Sequence, residues 1–214
     1  MSDGDLVASH ARDGRTTDTR DRILRVTEQL YLTGGYEHIN MHVIAERLGV
    51  SKTALFHHFK NKQELFYATL LHMLARYSAL FAEARDATGE SARERLRRIM
   101  WSLTQQEPFD MTRFVREEYA LLSPEQRAEV ERVWRAGMFE AVHRVLDDGA
   151  QAGELRAMDL SFSTYVFMHL CMLLPRASNP MPQPLTAPRD EEATRRAIDA
   201  LLDVFLNGVG ARPG

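Results

Sequence analysis

Apolar residues return every three or four positions in nine successive stretches of the chain, the spacing that lines one face of a helix. Residues 1–17 lie outside that pattern. They are polar, interrupted by Gly4 and Gly14, and read as a flexible N-terminal arm. From Asp18 onward Ile23, Val26, Leu30 and Tyr31 predict a first helix, ended by Gly34 and Gly35. Asn40 is a good cap for a short second helix with Ile44, Ala45 and Leu48 on one face, and Gly49 suits a left-handed turn residue. Ser51 caps a third short helix that turns Leu55 and Phe59 inward, and Asn61 with Glu64 opens a fourth. The fourth keeps Leu65, Phe66, Leu70, Met73, Leu74, Tyr77 and Phe81 in period to about Ala84, roughly 20 residues or 30 Å. Ser91 and Glu94 form a capping box ahead of Leu96, Ile99, Met100 and Leu103, and the helix ends near Pro108. A shorter helix covers Met111 to Leu122. Ser123, Pro124 and Gln126 start a long helix with Val130, Val133, Trp134, Met138, Val142, Val145 and Leu146 on one stripe, stopping at Gly153. Leu160 to Leu174 is apolar almost all round, which calls for burial on several sides, in the core or against another subunit. Pro175, Pro180, Pro182, Pro184 and Pro188 crowd one loop before Asp190 opens a last helix through Ala197, Leu201, Val204 and Phe205.

Composition agrees with this helical pattern. Leu and Ala total 49 residues against 17 for Val and Ile, a balance that favours helix because branched side chains lose rotamer freedom there. With 214 residues, 44% apolar and 27% charged, the chain is long enough for one medium domain or two small ones. The expected fold is all-α with nine helices. Cys171, the single cysteine, cannot close an internal disulfide, and Met1 to Ser9 carry no basic-apolar-small leader, so a cytoplasmic location is expected. No uninterrupted apolar run approaches the roughly 18 residues of a membrane span, so none is expected.

Charge is unevenly spread. The net charge is -3, yet between Arg15 and Lys62 eight basic side chains face five acidic ones, leaving -6 for the remainder. Lys52, Lys60 and Lys62, all the lysines of the chain, lie within eleven residues. The same region holds a helix-turn-helix spacing. Two short helices can cross steeply when the first offers a small residue, Ala45, and the turn tolerates positive φ, at Gly49. The second of them, about eight residues or 12 Å, fits a DNA major groove roughly 12 Å wide. By period Ser51, Lys52, Thr53, Phe56 and His57 point outward, with Lys60 and Lys62 at the flanking phosphates.

Residues Thr19 to Leu71 closely resemble the DNA-binding region of the tetracycline-repressor (TetR) family of transcriptional regulators. The matching motifs are GGY after the first helix, IAERLGVS across the turn and LFHHFKNKQEL at the junction with the fourth helix. The remainder matches the family only in the number, length and order of helices. The resemblance implies a two-domain architecture: the arm over 1–17, a three-helix DNA-binding domain over 18–64, and a ligand-binding and dimerisation domain over 65–214. It implies a homodimer, joined mainly through the last two helices, that binds double-stranded palindromic operator DNA and answers to a small-molecule effector, more often as a repressor. Carried over by position, the recognition helix is Lys52 to His58, Asn40, Met41 and His42 stand at the groove-facing start of the second helix, and Lys62 takes the family's phosphate contact. The family usually has Tyr where this chain has Phe56. Losing the hydroxyl removes a phosphate hydrogen bond and leaves a ring able to touch a thymine methyl.

Rival functions leave weaker traces. A di-iron bundle needs two Glu-x-x-His helices, and only Glu140 with His143 fits, which is half a site. His57 and His58 diverge by about 100° on a helix and cannot chelate one ion together. Cys171 and His169 stand on different helix faces, and no HExxH, phosphate loop or dinucleotide fingerprint occurs, so no catalytic residue, metal or cofactor is assigned. A helical-bundle metal-dependent enzyme would show metal-dependent turnover, and a protein-binding adaptor would show no salt-dependent DNA affinity. For the effector pocket the candidates are the aromatic and Met residues Trp101, Phe114, Tyr119, Trp134, Met138, Tyr165 and Met168, with Arg116, Glu140 and His143 as polar groups. Phe139, Phe167 and Met172 share those helices. Their softness suggests a hydrophobic or amphipathic ligand.

Overall fold

The computed structural model describes residues 3–107, 109–174 and 191–207, with side chains from Asp18 onward. All regular structure among them is helical: α1 (Asp3–Gly34), α2 (Met41–Leu48), α3 (Lys52–His58), α4 (Lys62–Arg85), α5 (Ala92–Thr104), α6 (Met111–Arg113), α7 (Pro124–Trp134), α8 (Glu140–Gln151), α9 (Leu160–Cys171) and α10 (Glu191–Asn207). A 3-10 turn, Tyr36–His38, follows α1. A π turn, Phe114–Glu118, and a 3-10 turn, Tyr119–Leu121, extend α6, and a second π turn, Arg135–Phe139, joins α7 to α8. Counted as continuous runs, these are the nine helices the periodicity predicts, among the described residues.

Three features differ from expectation. The first helix begins at Asp3 rather than Asp18, so the backbone of residues 3–17, read as a flexible arm, is continuous with it. Low periodicity hid it, because a helix without an apolar face leaves no pattern. The π turns interrupt stretches read as plain helix, because one extra residue per turn shifts the buried face without changing composition. Finally, α4 is long and apolar enough to cross a bilayer by length and composition. The search for uninterrupted runs overlooked this. Part of its apolar surface is taken up by the protein itself: Leu65, Phe66, Leu70, Met73, Tyr77, Phe81 and Ala84 are buried, and Leu71, Leu74 and Leu80 are half-buried. The five-proline loop and Asp190 lie outside the described residues.

The chain divides into two compact units. One comprises residues 1–73 and 109–130, the other 74–108 and 131–214. This division falls inside α4 and groups the 109–130 stretch with the N-terminal helices. In the first unit Ile23, Leu24, Tyr31, Ile44, Leu55, Phe59, Leu65 and Phe66 form the core. In the second, α5 packs on α8 and α10, and α8 packs on α9. Leu96, Ile99, Val142, Val145, Leu146, Phe167 and Leu202 fill that core. Arg95 is buried among them and donates from Nη1 to Asp148 at 2.9 Å and to the Arg85 carbonyl at 3.1 Å.

Candidate nucleic-acid interface

Local chemistry builds this interface from the caps outward. Asn40 Oδ1 accepts from the amides of His42 at 2.9 Å and Val43 at 3.3 Å, starting α2. Gly49 ends it in the left-handed region, with φ 65° and ψ 28°. Ser51 Oγ then accepts from Ala54 N–H at 3.1 Å, starting α3 three residues later. Ile44, Ala45, Leu55 and Phe59 are buried where these helices meet. Ser51, Lys52, Thr53, Phe56 and His57 are exposed, so α3 turns a cationic, hydroxylic and aromatic face outward. Phe56 stands out there, an unbranched aromatic ring that is 42% exposed. His58 is half-buried, its ring 6.5 Å from that of Phe59. Met41 is half-buried and His42 exposed at the start of α2. Asn40 is exposed, with its carbonyl committed to the cap.

The flanking cations are held differently from one another. Lys60 is exposed, and its amide donates to Glu64 Oε2 at 2.8 Å. Asn61 Oδ1 accepts from the Glu64 amide at 2.8 Å, capping α4. Lys62 Nζ lies 4.2 Å from the centre of the Tyr36 ring, 3.4 Å from the Glu37 carbonyl and 3.7 Å from its carboxylate. Arg20 of α1 stacks over Phe59 at 5.2 Å, adding a cation beside the end of α3 that sequence reasoning did not single out.

Sequence reasoning also missed Glu118. It is 3% exposed and lies in the first unit, where Tyr31 Oη donates to Oε2 at 2.6 Å and Tyr36 N–H donates to Oε1 at 2.8 Å. Arg113 Nε stands 3.2 Å from Oε1. Burial, together with this carboxylate, pushes the Tyr31 phenol far above its ordinary pKa, so it remains a proton donor. A signal was present: Phe114, Glu118 and Leu122 recur at i, i+4 and i+8, which puts an acid on an apolar stripe.

The ten effector-pocket candidates fall in both units. Phe114, Arg116 and Tyr119 belong to the first unit and the other seven to the second. Phe114 packs between Phe109 at 5.5 Å and Tyr119 at 5.8 Å, and exposed Arg116 is 3.9 Å from Glu117. In the second unit Trp134, Tyr165 and His143 surround Phe139, with ring centres 5.8, 4.8 and 6.2 Å away, and Arg135 covers the same ring at 5.2 Å. Met138 is half-buried, Met168 buried and Glu140 exposed. Trp101 lies under Arg195 at 4.5 Å and lines a cleft of about 250 Å³ between α5 and α10. A second cleft, of about 450 Å³, is lined by residues that include Arg156, Met158 and Phe205, and by none of the ten.

Two capped short helices crossing at a left-handed glycine, with the second turned outward beside three lysines, define a helix-turn-helix protein. Known proteins agree. Residues 23–69 match the family model for bacterial regulatory proteins, tetR family, and residues 89–176 match the tetracyclin repressor-like C-terminal domain. The chain belongs to the tetR family, a family of regulators rather than enzymes. An HTH-type transcriptional regulator of Staphylococcus aureus (strain USA300) is 32% identical over 69 residues, 32% of this chain and 37% of the relative's length. The TetR family transcriptional regulator PfmR of Thermus thermophilus is similar over 89% of this chain and 100% of its own, at 25% identity and a TM-score of 0.62. AibR, solved in complex with isovaleryl coenzyme A and operator DNA, shares the fold at 19% identity and a TM-score of 0.64, over 86% of this chain and 96% of its own.

Proposed function

We propose that the chain is a sequence-specific DNA-binding transcriptional regulator. It acts as a cytoplasmic homodimer that represses by occupying a palindromic operator, and a small hydrophobic or amphipathic effector releases it. The exposed α3 face of Lys52, Thr53, Phe56 and His57, flanked by Lys60 and Lys62, is the observation that carries the reading. Lysines at the flanks suit phosphate oxygens, and the hydroxyl, imidazole and ring between them suit base edges. Of the described apolar side chains, Phe162 on α9, Leu173 just beyond it and Val204 on α10 are among the most exposed, which supports pairing through the last two helices. AibR, with its acyl-coenzyme A ligand and operator DNA, supports an amphipathic effector class.

Release follows from differential affinity. An effector that prefers the non-operator geometry a hundredfold shifts the equilibrium by about 2.7 kcal/mol. The α4 helix is the natural lever, since it supplies Lys62 to the first unit and Phe81 to the second.

A selected-oligonucleotide binding screen with the purified full chain tests this reading. An inverted repeat should be enriched, with half-site centres one DNA turn apart, about 34 to 36 Å, or a multiple. Lys62→Ala should weaken binding to every sequence alike, whereas Thr53→Ala and His57→Ala should change which bases are preferred. Failure to bind any duplex at low ionic strength overturns the proposal.

A further inference from the structure

Within the first unit, Glu118 ties the 114–121 segment to the end of α1 and the Tyr36 turn. The π turn exposes Val115, Arg116 and Glu117 while burying Phe114 and Glu118, so the carboxylate points inward. There its two oxygens receive Tyr31 Oη and Tyr36 N–H at 2.6 and 2.8 Å. Gly35 admits this approach. Its φ of 74° and ψ of -165° belong to glycine alone, and a Cβ there would stand 2.4 Å from Glu118 Oε1. The turn is thus seated directly on the carboxylate.

Tyr36 passes that anchoring on. Its ring meets Phe66 edge-on at 5.1 Å and lies 4.2 Å from Lys62 Nζ. A lysine ammonium ordinarily samples many rotamers, and a ring face at this distance restricts it. A second contact reaches the same place from the other side. Gln63, the neighbour of Lys62, donates from Nε2 to the Leu121 carbonyl at 2.7 Å. Tyr36, whose ring holds the Lys62 ammonium, and Gln63, its neighbour in sequence, are therefore both tied to the 114–121 segment.

We propose that Glu118 is a positioning residue for DNA binding: it holds the Tyr36 turn, and the Tyr36 ring holds the Lys62 ammonium where a duplex phosphate meets it. This rests on the DNA-binding function proposed above. It gives a buried acid, 56 positions beyond the lysine in sequence, an influence on phosphate contact that passes through Tyr36. The opposite sign is expected if Glu118 acted only as a charge, because removing an anion from a DNA-binding unit strengthens phosphate attraction.

The test measures affinity of the full chain for a mixed-sequence duplex of about 30 base pairs across a salt titration, since each phosphate contact adds about 0.9 to the log-log slope. Glu118→Ala and Tyr36→Leu should bind about two- to fivefold more weakly, with a slope shallower by up to about one unit, as for Lys62→Ala. Neither should cause further loss in a Lys62→Ala background. Glu118→Gln keeps an acceptor for the Tyr36 amide, and Tyr36→Phe keeps the ring, so both should restore binding. Circular dichroism identifies the folded variants. If Glu118→Ala does not fold, Tyr36→Leu against Tyr36→Phe decides. Folded Glu118→Ala and Tyr36→Leu variants with the unaltered slope, or with losses that add to that of Lys62→Ala, overturn the inference alone. An unaltered chain that binds no duplex overturns the proposed function, and this inference with it.

Discussion

Lys62 meets two opposing neighbours, a ring that fixes it and a carboxylate that competes for it. The Glu37 carboxylate is 3.7 Å from Nζ and 87% exposed, so solvent screens the pair and its own contribution to stability is small. Near a phosphate its charge acts as repulsion. Glu37→Gln should therefore raise affinity for any duplex about two- to threefold at low salt. Fluorescence anisotropy on labelled DNA measures this, and equal or weaker binding counts against the role of Lys62. The outward set on α3 was legible at this scale because each side chain's direction follows from the period of a single helix. Glu118 was not, because its donors Tyr31 and Tyr36 lie 87 and 82 positions away. Period reports which face an acid shares, not which distant hydroxyl waits there.

At the scale of elements, caps were the most readable features. Asn40, Ser51 and Ser91 each accept the amide bonds expected of them, and the Glu94 carboxylate completes the box at the start of α5. Hydrogen bonds from Ser91 hold that carboxyl below the usual carboxylate range, so its contribution is present at neutral pH and is lost as acid protonates it. Capping energies are local, which is why short sequence patterns capture them. Asn40→Ala removes the acceptor for two amides and should cost about 1 kcal/mol, read as a lower urea midpoint with an unchanged slope. An unchanged midpoint would mean that packing alone holds α2. The π turns escaped the same reading because they carry no side-chain cap that a short sequence pattern could reveal. Gly137 in the second turn sits where a Cβ would be 1.8 Å from Ser78 Oγ, a contact made with a different helix.

For the whole molecule, helix number and order could be read from periodicity, whereas the grouping of the helices could not. The family resemblance implied a boundary near residue 64, and contacts in the structure group residues 109–130 with the N-terminal helices. Assembly belongs to this scale too. Phe162 is 67% exposed and Val204 50% exposed, a cost in water that a second copy would relieve. Phe162→Lys with Val204→Glu should give monomers by sedimentation, with operator affinity falling because one half-site is then read alone. A dimer that survives both changes would locate the pairing surface elsewhere. The discontinuous first unit has a consequence for synthesis. While a ribosome has made only the first hundred residues, the Tyr31 phenol has no Glu118 carboxylate to accept its hydrogen bond, and a buried donor left unmet costs about 1–3 kcal/mol. In a nascent chain the first unit can therefore be completed only after the segment ending at Leu121 has emerged from the exit tunnel.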